Sequence, residues 1–180
     1  MATKTRTGIY DFSQVLLLIK HKKFPAGQIN VDGFMPDTEI TVERDDPRWV
    51  RNGSGDGKAT TFVRNPDNSG TITFMLNQST DSLDKMNAIC RFSDTNRTLD
   101  ILFETTLVDK SSRTIYFSPE SLASSPNSVS FGATESGREF TIVCGDLQES
   151  LGGSSRIPQD TLAILNAFQI NVDESWTVLI

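Results

Sequence analysis

The chain has 180 residues, of which 37% are hydrophobic and 22% are charged, with a net charge of −6 and a sequence pI of about 4.8. This length suits a single domain with one apolar core, whereas so acidic a chain is a poor binder of nucleic acid, because affinity for phosphates comes from Lys and Arg. The apolar run Val15–Ile19 is too short for a membrane span or a signal-peptide core, so we expect a soluble chain that does not bind a membrane.

Apolar and polar residues alternate in much of the chain, and this pattern predicts a mainly β domain. In chain order, the predicted strands are Tyr10–Lys20, Gln28–Val31, Asp37–Arg44, Ser69–Gln78, Thr98–Val108 and Glu139–Gly145. The last four alternate cleanly, so each should have one core face and one polar face. Ser118–Gly137 is rich in Ser, Pro, Asn and Gly and is expected to be a loop with short strands.

Helical spacing is clearest after the fourth predicted strand. Asp81–Phe92 follows the N-cap residues Ser79 and Thr80, and it places Leu83, Met86, Ile89 and Cys90 on one face. A shorter helix is predicted from Pro158 to Phe168, and Ile170–Ile180 is apolar enough to dock as a last strand or as an arm.

The segment from Asp45 to Asn68 separates two predicted strands and is mostly polar. A stretch this long without a pattern is unusual inside a compact domain and is typical of a functional extension or a disordered loop. Trp49, Val50, Phe62 and Val63 lie within it, so we interpret residues 45–68 as an arm that packs on something.

No catalytic or metal-binding group of residues is evident. The one histidine, His21, lies in a basic turn, and Cys90 and Cys144 are far apart, as expected of buried free thiols. The glycine-rich stretch 53–58 lacks the spacing of a phosphate-binding loop, and Ala59 replaces its Ser or Thr. We therefore predict that the chain is not an enzyme and uses no cofactor or metal.

A set of short motifs follows in a specific order over residues 8–90. The motifs are Tyr10–Val15, Gly33-Phe34, Ile40–Arg44, Trp49, Gly55-Asp56-Gly57, Ser69–Thr73, Leu76 and Gln78-Ser79. In this order they resemble the tail tube proteins of long-tailed bacteriophages; the second half of the chain matches less. The resemblance implies one β-sandwich or barrel domain over residues 1–180, with one flanking α-helix and a long inter-strand extension, contributing strands to a ring-shaped inner β-barrel.

The same resemblance implies that six copies form a ring and that rings stack into a tube, through which DNA passes without specific binding. The chain would be located in the virion tail after assembly in the host cytoplasm. Tail sheath, tape measure and baseplate proteins would be its partners. Whether the tail contracts is not predicted.

Two groups of site residues follow from this interpretation. The predicted wall of the lumen consists of Glu39, Thr41, Glu43, Thr71, Thr73, Asp100, Glu104, Glu139 and Thr141. Such a wall would be acidic and rich in hydroxyl groups, so it would repel DNA phosphates. The predicted inter-ring contact consists of Arg44, Trp49, Val50, Phe62 and Val63, within the stacking arm 45–68.

Two alternatives remain open at this stage. The polar strand faces could be solvent faces of a monomeric β-sandwich binding module such as a carbohydrate binder, although the only tryptophans, Trp49 and Trp176, do not cluster in the sequence. The chain could also be the tube subunit of a related secretion or injection machine.

Overall fold

The fold is described from a computed structural model, which covers residues 8–54, 58–129, 136–153, 157 and 159–170. Its ten strands are β1 Val15–Lys20, β2 Gln28–Val31, β3 Thr41–Arg44, β4 Trp49–Gly53, β5 Thr60–Arg64, β6 Gly70–Leu76, β7 Phe103–Asp109, β8 Thr114–Ser124, β9 Arg138–Cys144 and β10 Gln148–Ser150. Its α-helices are α1 Asp81–Thr95 and α2 Gln159–Ala167, and two 3-10 helices span Phe12–Gln14 and Leu99–Ile101. The predicted mainly β fold with a flanking helix is thus confirmed.

Predictions about three strands were wrong, besides the start of β3 at Thr41 rather than at Asp37. The first predicted strand begins only at Val15, since a 3-10 helix capped by the Asp11 carboxylate precedes it. The strand predicted to begin at Thr98 begins at Phe103, since a second 3-10 helix occupies Leu99–Ile101.

The third error concerns β8, the longest strand, which lies partly in a segment predicted to be a loop with only short strands. Pro119 and Glu120 are both exposed between the buried residues Ser118 and Ser121, so the alternation is interrupted. The Ser118 hydroxyl donates to the Glu120 carbonyl across this irregularity at 2.9 Å. Proline cannot donate to a strand ladder, and two successive exposed residues hide the period of two.

The main sheet has the strand order β2-β1-β7-β8-β9-β6-β3, and β10 pairs with β8. Val31 at the end of β2 pairs with Leu17, yet Phe34 is already bridged to Leu76 on β6. Five strand spacings separate β2 from β6 in this order, which is about 24 Å in a flat sheet. Three residues reach at most about 11 Å, so the sheet curves back on itself like a barrel.

The core lies on the inner face of this curved sheet. Phe74 and Phe140 are stacked with their ring centroids 6.1 Å apart, and the Phe34 ring meets Phe74 edge-on at 6.0 Å. Burial of one such side chain stabilises the fold by about 1.5–3 kcal/mol. Other buried apolar residues are Leu17, Ile19, Val31, Ile72, Leu76, Met86, Ile89, Cys90, Phe103, Leu107, Ile142, Cys144 and Leu147. Both cysteines are free and buried, as predicted.

Helix α1 is attached to the sheet at its first turn. The Ser82 hydroxyl donates to the Asp32 carboxylate at 2.5 Å and accepts from the Asp32 N–H at 3.0 Å. Gly33 has a φ of 73°, and a Cβ there would lie 2.1 Å from Cγ2 of Thr80. The N-cap Thr80 does not cap the helix with its side chain, which donates to the Asn77 carbonyl instead.

The chain divides into two compact units. The larger consists of Leu16–Leu107 and Tyr116–Glu149, and the smaller of Met1–Val15, Val108–Ile115 and Ser150–Ile180. The prediction that residues 1–180 form one domain stays a prediction. The predicted terminal strand or arm, Ile170–Ile180, lies almost wholly outside the described residues.

Candidate assembly surfaces

Six of the nine predicted lumen residues share one face of three neighbouring strands. Strand β6 pairs with β3 on one side and with β9 on the other, both antiparallel. Thr73 lies opposite Thr41 and Thr141, so the three threonines form one cross-strand row. Thr71 lies opposite Glu43 on β3, and Glu139 lies on β9 opposite Met75. Together the six residues form a surface that we call the hydroxyl face: Thr41, Glu43, Thr71, Thr73, Glu139 and Thr141.

The hydroxyl face points away from the core. Along β6 the neighbours Ile72, Phe74 and Leu76 are fully buried, whereas Thr71 and Thr73 are half-buried. Glu43 and Glu139 are exposed. Threonine suits a strand and offers water a hydroxyl group, so this face stays hydrated without an unpaired buried polar group.

Glu104 lies on β7 rather than on the three strands of the hydroxyl face, and it is paired. Lys20 Nζ at the end of β1 lies 2.7 Å from Glu104 Oε1. The sequence interpretation described the wall as acidic, and it missed Lys20 because it drew the wall from four strands that do not include β1. The alternation of Leu17 and Ile19 into the core could have placed Lys20 on the opposite face.

Asp100 is not on a strand, contrary to its predicted position. It lies in the 3-10 helix Leu99–Ile101, where Lys22 Nζ contacts its carboxylate at 2.5 Å. The hydrogen bond and the charge of Lys22 lower the pKa of Asp100 below its ordinary value. His21 Nε2 lies 2.8 Å from the Asp100 carbonyl, and both contacts hold this turn in place of an extended strand.

Glu39 also lies outside its predicted strand, because β3 begins at Thr41. Asp37, at the start of the predicted strand, has a φ of 60°, a left-handed conformation that ends extended backbone. Glu39 is exposed, two residues before the strand.

The predicted arm contains a β-hairpin that projects from the chain between β3 and β6. Strands β4 and β5 pair only with each other among the described residues. Val50 lies opposite Val63, whereas Trp49 faces Arg64 and Arg51 faces Phe62. Because pairs alternate between faces, one face of the hairpin carries the two valines and the other carries Trp49, Phe62 and the two arginines.

All residues of the hairpin strands are exposed. Trp49 is 60% and Phe62 66% exposed, and Val50 and Val63 are 42% and 46% exposed. Four large apolar side chains in contact with solvent on one two-stranded unit are typical of an interaction surface. The sequence interpretation found these four residues but missed Arg51 and Arg64, whose position depends on the hairpin register.

Arg44 differs from the other predicted contact residues because it is mostly buried. Its guanidinium group donates to the Leu147 carbonyl at 2.8 Å and lies 3.3 Å from Glu149. Arg48 lies 3.6 Å from the same carboxylate. These contacts fix the base of the hairpin inside one subunit; an intermolecular role of Arg44 stays a prediction.

Both ring nitrogens of His21 are engaged in hydrogen bonds to the backbone, which is a structural role. The Lys23 N–H donates to its Nδ1 at 3.2 Å, so the proton resides on Nε2, which donates to the Asp100 carbonyl.

Among the described residues, no group of three or more His, Cys, Asp and Glu side chains is arranged to hold a metal ion. No helix in the same part of the chain is long and apolar enough to cross a membrane.

The chain is similar to structural protein ORF10 of Pseudomonas phage KPP10. The two are 26% identical over 171 residues, which cover 95% of this chain and 98% of that protein. The predicted resemblance to a phage structural protein is confirmed. It extends well beyond residues 8–90, into the half of the chain where the sequence motifs were weak. No protein-family model matches the chain.

Three solved structures also show some similarity. A chain of the anti-feeding prophage cap, which terminates its tube, has 8% identity and a TM-score of 0.48 over 84% of this chain and 100% of its own length. The sheath/tube terminator of the extracellular contractile injection system PVC has 12% identity and a TM-score of 0.43, covering 80% and 98%. A chain of the anti-feeding prophage baseplate has 9% identity and a TM-score of 0.46, covering 83% and 97%.

Proposed function

We propose that the chain is a non-enzymatic structural subunit of a phage tail, which forms hexameric rings that stack into a DNA-conducting tube. The similarity of nearly its whole length to a phage structural protein supports the phage assignment. In this proposal the protein is located in the tail of the virion after assembly in the host cytoplasm. Its partners are further copies of itself and the sheath, tape measure and baseplate proteins.

The observation that carries the proposal is the hydroxyl face. Threonines in register on three adjacent strands, with Glu43 and Glu139 among them, form a hydrated surface that does not attract phosphate groups. In the proposed ring this face lines the channel. DNA slides along it, because no lysine or arginine is present among its six residues to hold the backbone.

The edge strand β3 supplies a means of joining copies. It is the last strand in the sheet order and pairs with β6 on one side only among the described residues. An edge strand presents free backbone donors and acceptors to another chain. In the proposed ring, sheets of neighbouring copies continue one another and remove these edges, as closure of a barrel does.

The hairpin supplies the contact between rings. It starts five residues after β3, and its exposed Trp49 and Phe62 lie on one face. Aromatic residues beside arginines are the side chains that most often dominate the energy of protein interfaces. Stacking of rings requires a second interface of this kind, distinct from the contacts within a ring.

Excision of the hairpin tests this assignment. The Asn65 N–H donates to the Arg48 carbonyl at 2.9 Å, so the two chain ends are adjacent if Trp49–Arg64 is replaced by two glycines. We expect the shortened chain to remain folded by circular dichroism and to form rings but no tubes in negative-stain electron microscopy. Tubes formed by the shortened chain would show that the hairpin does not stack the rings.

A pair of point variants separates the two hairpin faces. Trp49→Ser with Phe62→Ser should abolish stacking, whereas Asn52→Ala with Thr61→Ala, a cross-strand pair on the valine face, should leave it unchanged. Equal loss in both variants would indicate that hairpin stability rather than the aromatic face is what matters.

A carbohydrate-binding module remains the second candidate because of one observation. Trp49 and Phe62 are diagonal neighbours on one exposed hairpin face, although they do not cluster in the sequence. In a binding module, oligosaccharides would change the Trp49 fluorescence of a protein that stays monomeric at all concentrations. We expect no such change and concentration-dependent assembly.

A further inference from the structure

An apolar pocket lies beside helix α1, on the side that carries Ala88 and Phe92. It has a volume of about 290 Å³ and lies between this helix, the β1–β2 turn and the segment around Ile101. Its lining includes Phe24, Ile29 and Phe103. This volume is at the lower end of the range of about 300–1,000 Å³ that is typical of small-molecule pockets, and it suits one or two side chains of another protein.

The rim of the pocket is basic. Lys23, Lys85 and His21 all line it, and Lys23 Nζ lies 4.5 Å from the centre of the Phe92 ring. Two lysines at one apolar opening are notable in a chain with a net charge of −6. The pocket therefore favours an occupant that is apolar and carries negative charge.

Three apolar segments of the sequence have the required hydrophobicity, and their charges distinguish them. The hairpin carries Arg51 and Arg64 beside its aromatic residues, so the rim would repel it. The N-terminal segment 1–14 holds Lys4 and Arg6 against the single acid Asp11. Only residues 157–180 combine apolar residues with an excess of acid: they hold three acidic residues and no Lys, Arg or His.

Helix α2 lies near the start of this acidic segment, and Ile164 on it is 57% exposed, whereas Leu162 and Leu165 are half-buried. Phe168, one residue beyond the helix and one helical turn after Ile164, is 72% exposed. Ile170 is 48% exposed. Apolar residues at this spacing on an exposed helix are typical of a helix that docks in a groove of a partner.

We propose that the basic pocket beside α1 receives helix α2 of a second copy of this chain, with Phe168 as the inserted side chain. Each copy then offers one pocket and one helix, a head-to-tail contact that closes into a ring when the rotation permits. The inference rests on the proposed function, since it names a contact within the ring in addition to the pairing of the edge strand β3 with a neighbouring copy.

Two variants of the full chain test it. Ala88→Trp fills the pocket from the exposed side of α1, and Phe168→Ser removes the inserted side chain. We expect each to weaken self-association at least about tenfold in sedimentation velocity, as loss of a central aromatic anchor does. Val129→Ser is the matched control, since Val129 is an exposed apolar residue (45%) outside the pocket and α2, and it should associate as the unaltered chain does.

Mixing the two variants is the sharper measurement. The Ala88→Trp copy keeps its helix and the Phe168→Ser copy keeps its pocket, so a mixture should form dimers at a concentration at which each variant alone is monomeric. A mixture that stays monomeric, with both variants folded by circular dichroism, overturns the pairing. So does normal association of both single variants, which would leave the proposed tube function intact because another lateral contact would then form the rings.

Cross-linking distinguishes a pocket that is filled by another copy from a pocket that is filled by a segment of the same chain. One copy with Ala88→Cys and another with Phe168→Cys can form a disulfide between the introduced cysteines only across copies, and the native Cys90 and Cys144 are buried. A mixed disulfide on a non-reducing gel supports the proposal. Its absence, in a mixture that nevertheless associates, means that the pocket is filled in another way and overturns the proposal. An unaltered chain that is monomeric at every concentration would contradict the ring itself, and with it the proposed function.

Discussion

The ammonium group of Lys20 and the carboxylate of Glu104 form an ion pair at 2.7 Å between the end of β1 and strand β7. Lys22 neutralises Asp100 in the same way. Two acids that the sequence interpretation assigned to a repelling wall are thus compensated within the subunit. The remaining uncompensated acids of the proposed wall that lie on strands are Glu43 and Glu139, which are exposed on the hydroxyl face.

If the acidic hydroxyl face keeps DNA from binding in the channel, replacing both of its glutamates by lysine (Glu43→Lys with Glu139→Lys) should slow the passage of DNA. Both residues lie on exposed strand surface, so the variant should fold and assemble, but its channel would attract phosphate groups. We expect slower DNA ejection from phage particles that carry it. Asp84→Lys gives the same kind of charge change on helix α1 and should leave ejection unchanged; equal ejection rates in all three proteins would contradict an electrostatic role of the hydroxyl face.

Two leucines of the predicted strand Thr98–Val108, Leu99 and Leu107, should respond differently to truncation. Leu107 on β7 is 6% exposed, whereas Leu99 in the 3-10 helix is 85% exposed. Leu107→Ala should lower the free energy of unfolding by about 2–5 kcal/mol, through lost burial and a residual cavity. Leu99→Ala should change it by less than about 0.5 kcal/mol. Urea unfolding of the two variants measures this difference, and similar losses would place Leu99 in the core after all.

Two glycines with the same backbone conformation provide a second matched pair. Gly27 and Gly33 both have a φ of 73°, but only at Gly33 would a Cβ collide with Thr80. Gly27→Ala should cost about 1–2 kcal/mol, the cost of a left-handed alanine. Gly33→Ala should cost about 1–3 kcal/mol more, because the first turn of α1 must shift. If both variants unfold at the same urea concentration, the close approach of Thr80 to Gly33 is not present in solution.

The carboxylate of Asp109, in the turn after β7, should make the free energy of unfolding depend on pH. Burial raises the pKa of Asp109, but hydrogen bonds from Ser111 and Ser112 outweigh burial and leave the pKa below its ordinary value. The Ser111 and Ser112 hydroxyls donate to this carboxylate at 2.6 and 2.5 Å. A lowered pKa means that the ionised group stabilises the fold above the unfolded value of about 3.9, and that this contribution is lost as the pH falls through the folded value.

Asp109→Asn should therefore reduce the free energy of unfolding by about 0.5–1.5 kcal/mol at pH 7. The difference from the unaltered chain should shrink as the pH is lowered below about 4, because the natural carboxyl group is then protonated too. Urea unfolding at pH 7 and pH 3 measures both values. A difference that is the same at the two pH values would mean that ionisation of Asp109 does not stabilise the turn.

The elements that were predicted best from the sequence are strands in which apolar and polar residues alternate without interruption. Strand β6 matches its predicted strand closely, with Ile72, Phe74 and Leu76 buried. The length of strand β8 was not predicted, because Pro119 and the exposed Glu120 interrupt its period and cross-strand pairing overrides the local preference. The 3-10 helix at Leu99–Ile101 depends on Lys22 and His21, which are distant in sequence, and no local pattern reports such contacts.

In the candidate surfaces, too, the features that depend on contacts between distant residues could not be predicted from the sequence. The residues of the hydroxyl face could be selected from alternation alone, since each lies on a clean strand. Their alignment into rows could not, because it depends on β6 pairing with both β3 and β9. The arm was recognised by its length and its apolar residues, but its two faces follow from the register that sets Val50 opposite Val63.

Cryo-electron microscopy of the purified chain at high concentration tests the central claim most directly. The account predicts hexameric rings or stacked tubes in which Thr73 and its row partners Thr41 and Thr141 face a continuous central channel, with the hairpin reaching the adjacent ring. A strictly monomeric protein, or rings in which the hydroxyl face points outward and the channel is lined by other strands, would contradict it.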